Sequence, residues 1–166
     1  MTQTLGTYVT NEQPSTFSIN ASGLVNAPVL AIIGTTELTD NANGDEEIIC
    51  KLPVDAKLIS AKFAFDDFGG TTATMDIGFW KDDGAGVFSA VDADAIANDL
   101  DIAGAAIALT EYRFSALGIE TAALPIWDLA TGLSARPAYN YLYIGLETPV
   151  DTEQAGTVSF QILYTL

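Results

Sequence analysis

The chain has 166 residues, of which 22 are acidic and six basic, giving a net charge of −16 with no histidine and one cysteine. Such a charge repels nucleic acid and anionic membrane surfaces over long range, and the missing imidazole removes Ser-His and Cys-His nucleophiles and histidine-ligated metals. One domain of this length buries roughly 70% of the surface its unfolded form exposes, so no disulfide or metal staple is needed.

Residues 1–27 carry a single charge, Glu12, among many Thr, Ser, Asn and Gln, with scattered apolar residues at Leu5, Tyr8, Val9, Phe17, Ile19, Leu24 and Val25. This stretch is too polar for a core and too uncharged for an ordinary disordered tail. Two readings stand: a loose terminus or first edge strand, or an arm packed on a neighbouring subunit through Tyr8, Phe17, Ile19 and Leu24. It has neither the basic region nor the apolar run of a signal peptide, and no segment approaches the roughly 18 apolar residues of a membrane span. The expectation is a soluble protein that leaves its cell, if at all, by lysis or assembly.

A second region, 28–166, reads as one β domain. "VLAIIGTTEL" (29–38) alternates through Leu30, Ile32 and Leu38, and "NANGD" (41–45) supplies Asn-Gly turn chemistry. "EEIICKLPVDAKLISAKFAFDD" (46–67) gives two strands with inward Ile48, Cys50, Leu52 and then Ile59, Ala61, Phe63, Phe65. Pro53, which has no N–H to donate, ends the first strand, and "VDA" turns the chain back into a hairpin. Cys50 is then a small buried hydrophobe. "TATMDIGFW" (72–80) buries Ala73, Met75, Ile77 and Phe79.

"SAVDADAIANDLDIAG" (89–104) places Ala93, Ile96 and Leu100 at helical spacing behind Ser89, which predicts a short helix. "ALTEYRF" (108–114) is a weaker strand with mixed faces. "PIWDLATGL" (125–133) sets Ile126, Leu129, Ala130 and Leu133 on one helical stripe, with Pro125 at the start and Gly132 near the end, for a helix of about two turns. In "YNYLYIGLE" (139–147), Leu142, Ile144 and Leu146 take one face and Tyr139, Tyr141 and Tyr143 the other, the tyrosines being candidates for contact with a neighbouring subunit. The final strand turns Val158, Phe160, Ile162, Tyr164 and Leu166 one way, with Leu163 the exception to its polar face. The pattern predicts an all-β, antiparallel, jelly-roll-like β-sandwich with one or two short helices in the crossovers.

Chemistry is sparse. "FGGTT" (68–72) has a phosphate loop's glycines without its lysine and reads as a turn. Adjacent carboxylates such as Asp66 and Asp67 arise freely in so acidic a chain, so catalysis is the least favoured class. Asp82, Asp83, Asp92, Asp94, Asp99 and Asp101 cluster in sequence, but without EF-hand spacing they read as a solvated rim rather than a calcium site. No metal and no cofactor is therefore expected. Trp80 and Trp127 with the tyrosines would suit sugar stacking, although outward aromatics more often pack under a loop or a second subunit.

The order "GDEEIICKLPVDAKLISAKFAFDD", "MDIGFW", "AVDADAIANDLDI", "PIWDLATGL" and "AGTVSFQILYTL" resembles small structural proteins of tailed bacteriophages, of the capsid decoration, cement and head-fibre type. The resemblance covers roughly residues 40–166 and rests on the "KLP-x-x-A-x-L/V-x-S" hairpin and the Pro-x-Trp helix. It implies a virion protein made in the host cytoplasm and bound to the outer surface of the head. Its partners would be the major capsid protein and further copies of itself, a trimer ahead of a dimer, and it brings no catalytic residues. The alternative is a receptor- or glycan-binding module of a head fibre or tail.

Overall fold

The computed structural model describes residues 3–5, 28–38, 44–69, 72–112, 124–150 and 155–166. In chain order these form β1 (Gln3–Leu5), β2 (Leu30–Leu38), β3 (Asp45–Pro53), β4 (Lys57–Phe65), β5 (Thr74–Gly84), β6 (Val87–Asp101), β7 (Ile107–Glu111), α1 (Ile126–Leu129), β8 (Tyr141–Val150) and β9 (Gly156–Thr165). Four nested antiparallel pairs organise the chain: β5 with β6, β4 with β7, β3 with β8, and β2 with β9. The innermost pair turns at Gly84, Ala85 and Gly86, all at positive φ, where glycine is favoured at two of the three positions.

Rolling up this long double ribbon yields two sheets, ordered β1-β3-β8-β5-β6 and β2-β9-β4-β7. That is a jelly roll. β1 lies outside the nest, parallel to β3 at one edge.

The core lies between the sheets. From one side come Leu52, Met75, Ile77, Phe79, Leu142, Ile144 and Leu146, and from the other Leu58, Phe63, Phe65, Val158, Phe160 and Ile162, all buried. Full burial of each large side chain contributes about 1.5–3 kcal/mol. Gly34 on β2 makes room for Phe160: a Cβ there would sit 2.6 Å from the ring.

Five expectations need correction. The helix expected over 89–104 is instead the greater part of β6, a strand of 15 residues. Its register against β5 slips repeatedly, and between Ile77 and Phe79 the partner moves from Ala97 to Asp92. With these bulges, burial recurs at Phe88, Asp92, Ile96 and, partly, Leu100, four residues apart, although Phe88 joins the outer layer and Ile96 the core, and that spacing imitates a helix. The turn at "PVDA" is present, with Ala56 N donating to Pro53 O at 2.9 Å. It joins no hairpin, however: β3 and β4 belong to different sheets, and Val54 and Ala56 are buried where the chain crosses between them.

The third correction concerns register. A bulge between Leu58 and Ser60 puts Leu58, not Ile59, in the core, and another between Ile48 and Cys50 sends Ile48 to the opposite face while Ile49 is buried. Finally, Leu166 lies just past the end of β9 and is 67% exposed. α1 is shorter than expected, Ile126–Leu129, although Ile126, Leu129 and Ala130 are buried as its stripe requires.

Candidate functional site

The five-stranded sheet carries a second layer on its outer face. Cross-strand register there aligns Lys51, Tyr143 and Trp80 in one row, Ile48, Gly145 and Gly78 in the next, and Glu46, Glu147 and Asp76 in a third. The two glycines explain the layer. A Cβ on Gly145 would lie 2.7 Å from the Trp80 ring, and one on Gly78 would lie 2.0 Å from the Asp92 carbonyl oxygen. The indole therefore lies over Gly145, while the bulged backbone of β6 folds over Gly78. Trp80 is 0% exposed on a face that would otherwise be open to water, packed with Ile48, Phe88, Ala93 and Tyr143. Its indole N–H finds no hydrogen-bond partner among the described residues.

The three tyrosines sit in different surroundings, although the Lys51 ammonium lies over both Tyr141 and Tyr143. Tyr143 meets Phe88 edge-on at 4.9 Å and is half-buried. Tyr141 is 44% exposed, with the Lys51 ammonium 3.8 Å from its ring centre, an attractive cation–π geometry. Tyr139 precedes the strand and packs against the main core, and burial raises its phenol pKa. The other contact candidates, Tyr8, Phe17, Ile19 and Leu24, lie outside the described residues.

The acidic row was not foreseen. Burial raises the pKa of Glu147, and the charges of Glu46, Asp76 and Asp94 push it further. Asp76 is raised by burial as well, partly offset by the Asp99 N–H that donates to it at 2.6 Å. Asp94 is raised first by its hydrogen bond with Asp92. Asp92 is itself occupied: its Oδ2 accepts from Thr131 N at 2.5 Å and Thr131 Oγ1 at 2.8 Å, tying β6 to the turn after α1.

The aspartates considered for calcium are spread from the β5–β6 turn along β6. Asp82 accepts from Gly84 N, Asp83 pairs with Lys81 at 3.2 Å, and Asp101 accepts from Ala103 N. Among the described residues no group of three or more potential ligands is placed to hold a metal ion.

Where β2 and β3 approach each other across the two sheets, Thr36 Oγ1 donates to Glu47 Oε1 at 3.1 Å. Glu47 is 5% exposed, and burial raises its pKa to about 7, the threonine bond opposing the rise. Cys50 is buried as expected, its thiol pushed up to about 12 by the same cause. The two stretches that carry the resemblance meet at one end of the sandwich. Ile126 N donates to Ala56 O at 2.8 Å, and Arg136 grips Asp55 with Nη2 to Oδ2 at 2.6 Å, which lowers the Asp55 pKa.

The outer face of the four-stranded sheet is plain by contrast. Register sets Ile33 beside Gln161 and Lys62, and Thr35 beside Ser159 and Ala64, with Ala31 beside Leu163. Nothing folds over it among the described residues, and Ile33 stands 57% exposed.

No family model matches the chain, and no curated protein matches it. Among solved structures, a chain from "Capsid of Ralstonia phage GP4" shares the fold with a TM-score of 0.60 and 15% identity, over 99% of this chain and 97% of that one. A chain from "Cyanophage Pam1 capsid asymmetric unit" does so with a TM-score of 0.52 and 15% identity, over 95% of this chain and 99% of that one. At such identity the likeness establishes a common fold, an all-β jelly-roll sandwich.

Proposed function

We propose that the chain is a structural protein of a bacteriophage virion, specifically a decoration or cement protein bound to the outside of the head. The observation that carries this reading is a fold shared over nearly the full length of chains from two phage capsids. The net charge of −16 supports an outer position, because an anionic protein there suffers less repulsion than one facing packaged DNA. Its partners are the major capsid protein and further copies of itself, with a trimer ahead of a dimer, since a closed ring repeats one contact around a local three-fold. The reading assigns no catalytic role. Purified protein is expected to co-sediment with heads that lack it and to raise their resistance to heat; a chain left in the supernatant overturns the proposal.

The exposed Tyr141 ring beside Lys51 favours one second reading, a glycan-binding module, since jelly rolls also serve as lectin domains. A glycan array separates the two: hits lost on Tyr141→Ala support the second reading, and an empty array with head binding supports the first.

A further inference from the structure

Open sheet edges expose unpaired backbone groups, and proteins protect them with short strands, bulges, proline or charge. Three of the four edges here are protected in that way. β1 has three residues, β7 has five with a register shift, and β6 is repeatedly bulged and acidic. β2 is different. It runs for nine residues and pairs with β9 in nine consecutive register positions without a slip. It contains no proline and no lysine, and its single charge, Glu37, sits near one end, where it accepts from Thr157 Oγ1 at 2.7 Å. No described strand lies on its other side.

From this we infer that β2 is a self-association edge: two copies of the chain pair β2 to β2, antiparallel, about a two-fold axis at Gly34, joining their four-stranded sheets. The occupant is a second copy because the strand is complementary to itself. Centred on Gly34, the pairing sets Ile33 opposite Thr35, Ile32 opposite Thr36, Leu30 opposite Leu38 and Ala31 opposite Glu37. Like charges never meet, and the two Glu37 side chains stay roughly 20 Å apart along the strands. In a chain of charge −16, most faces of two copies repel each other. The β2 edge and the nearly uncharged face beside it are where that repulsion is weakest. An isologous contact also needs only one surface. The inference does not depend on the virion reading, and it uses a different surface from a three-fold contact, so trimers on a shell would be linked to one another across two-folds.

Sedimentation velocity of the full chain over a concentration series tests it, with Ile33→Lys as the disrupting variant. Ile33 is 57% exposed, so the lysine leaves the fold intact, as circular dichroism checks. The expected result is self-association that weakens roughly tenfold or more when lysine enters the edge. A second variant carrying I33C and T35C together is expected to form a covalent dimer on mild oxidation, because each introduced thiol faces the other type across the two-fold. A wild-type chain that stays monomeric, unchanged association in Ile33→Lys, or no cross-linked dimer overturns the inference. A trimer that survives Ile33→Lys overturns the β2 contact alone and leaves the head-binding reading standing.

Discussion

The two sheets are alike inside and unlike outside. Inward, each offers a close-packed layer of Leu, Ile and Phe. Outward, the five-stranded sheet is built up by a second layer, with Trp80 roofed by its neighbours and an acidic row beside it. The four-stranded sheet shows a mixed outer face of Ala, Ile, Thr, Ser, Gln and Leu with Lys62, and no described strand lies beyond β2. Two mid-strand glycines shape the outer face of the first sheet, where, among the described residues, the Trp80 indole comes down on Gly145 and the β6 backbone on Gly78. The lesson is that one face of this jelly roll is covered from within the chain, whereas among the described residues nothing covers the other.

The largest expected effect breaks the finished face. Gly78→Ala places a methyl against backbone atoms of β6, which cannot swing aside as a side-chain tip can. It should destabilise by about 3 kcal/mol or more, and Trp80→Ala by about 3–5 kcal/mol. Ile33→Lys on the open face should stay within about 0.5 kcal/mol in urea denaturation. Equal losses at both sites would dissolve the contrast.

Next in size is the response to pH. A carboxyl whose pKa is raised on folding binds its proton more tightly in the native state, so it adds stability as pH falls from its folded value to its unfolded one. For Glu47 that window runs from about 7 down to 4.5, with Asp76, Asp94 and Glu147 acting in the same direction. Asp55 acts oppositely: its lowered pKa gives stability present above the ordinary carboxylate value and lost below it. The chain should therefore be more stable at pH 5 than at pH 8. Glu47→Gln keeps an acceptor for Thr36 and should remove about 2 kcal/mol of that difference. An unchanged slope would show that Glu47 does not titrate in this range.

Much of this was written in the sequence, and the failures have physical causes. Strict alternation marked β5, β8 and β9 because each has one face fully committed to the core. β6 was misread because its bulges reset the period from two to about four. The turn at Pro53 was legible from proline and aspartate chemistry, but the change of sheet was not, since nothing local distinguishes a crossing from a hairpin. Paired doublets, Glu46–Glu47 and Ile48–Ile49, were the available sign of a bulge in β3. The interior glycines in "MDIGFW" and "YIGLE" were the sign that something approaches the backbone closely. Tyr139 was grouped with Tyr141 and Tyr143 by alternation, although the strand begins only at Tyr141. The acidic row is assembled from three strands and has no linear signature.

The smallest effects belong to single groups. Cys50, buried with its thiol pushed up to about 12, should resist labelling by a thiol reagent in native buffer and react readily in denaturant. Rapid native labelling would contradict the inward register of β3. Chelators should leave the melting temperature within about a degree, whereas loss of a bound structural ion would lower it by several.

Whether the chain binds a phage head, as proposed, is decided by co-sedimentation. Full-length protein mixed with heads that lack it should pellet with them saturably, reaching a fixed number of copies per head, and should no longer do so on heads already carrying it. Protein that remains in the supernatant at every concentration would contradict the account.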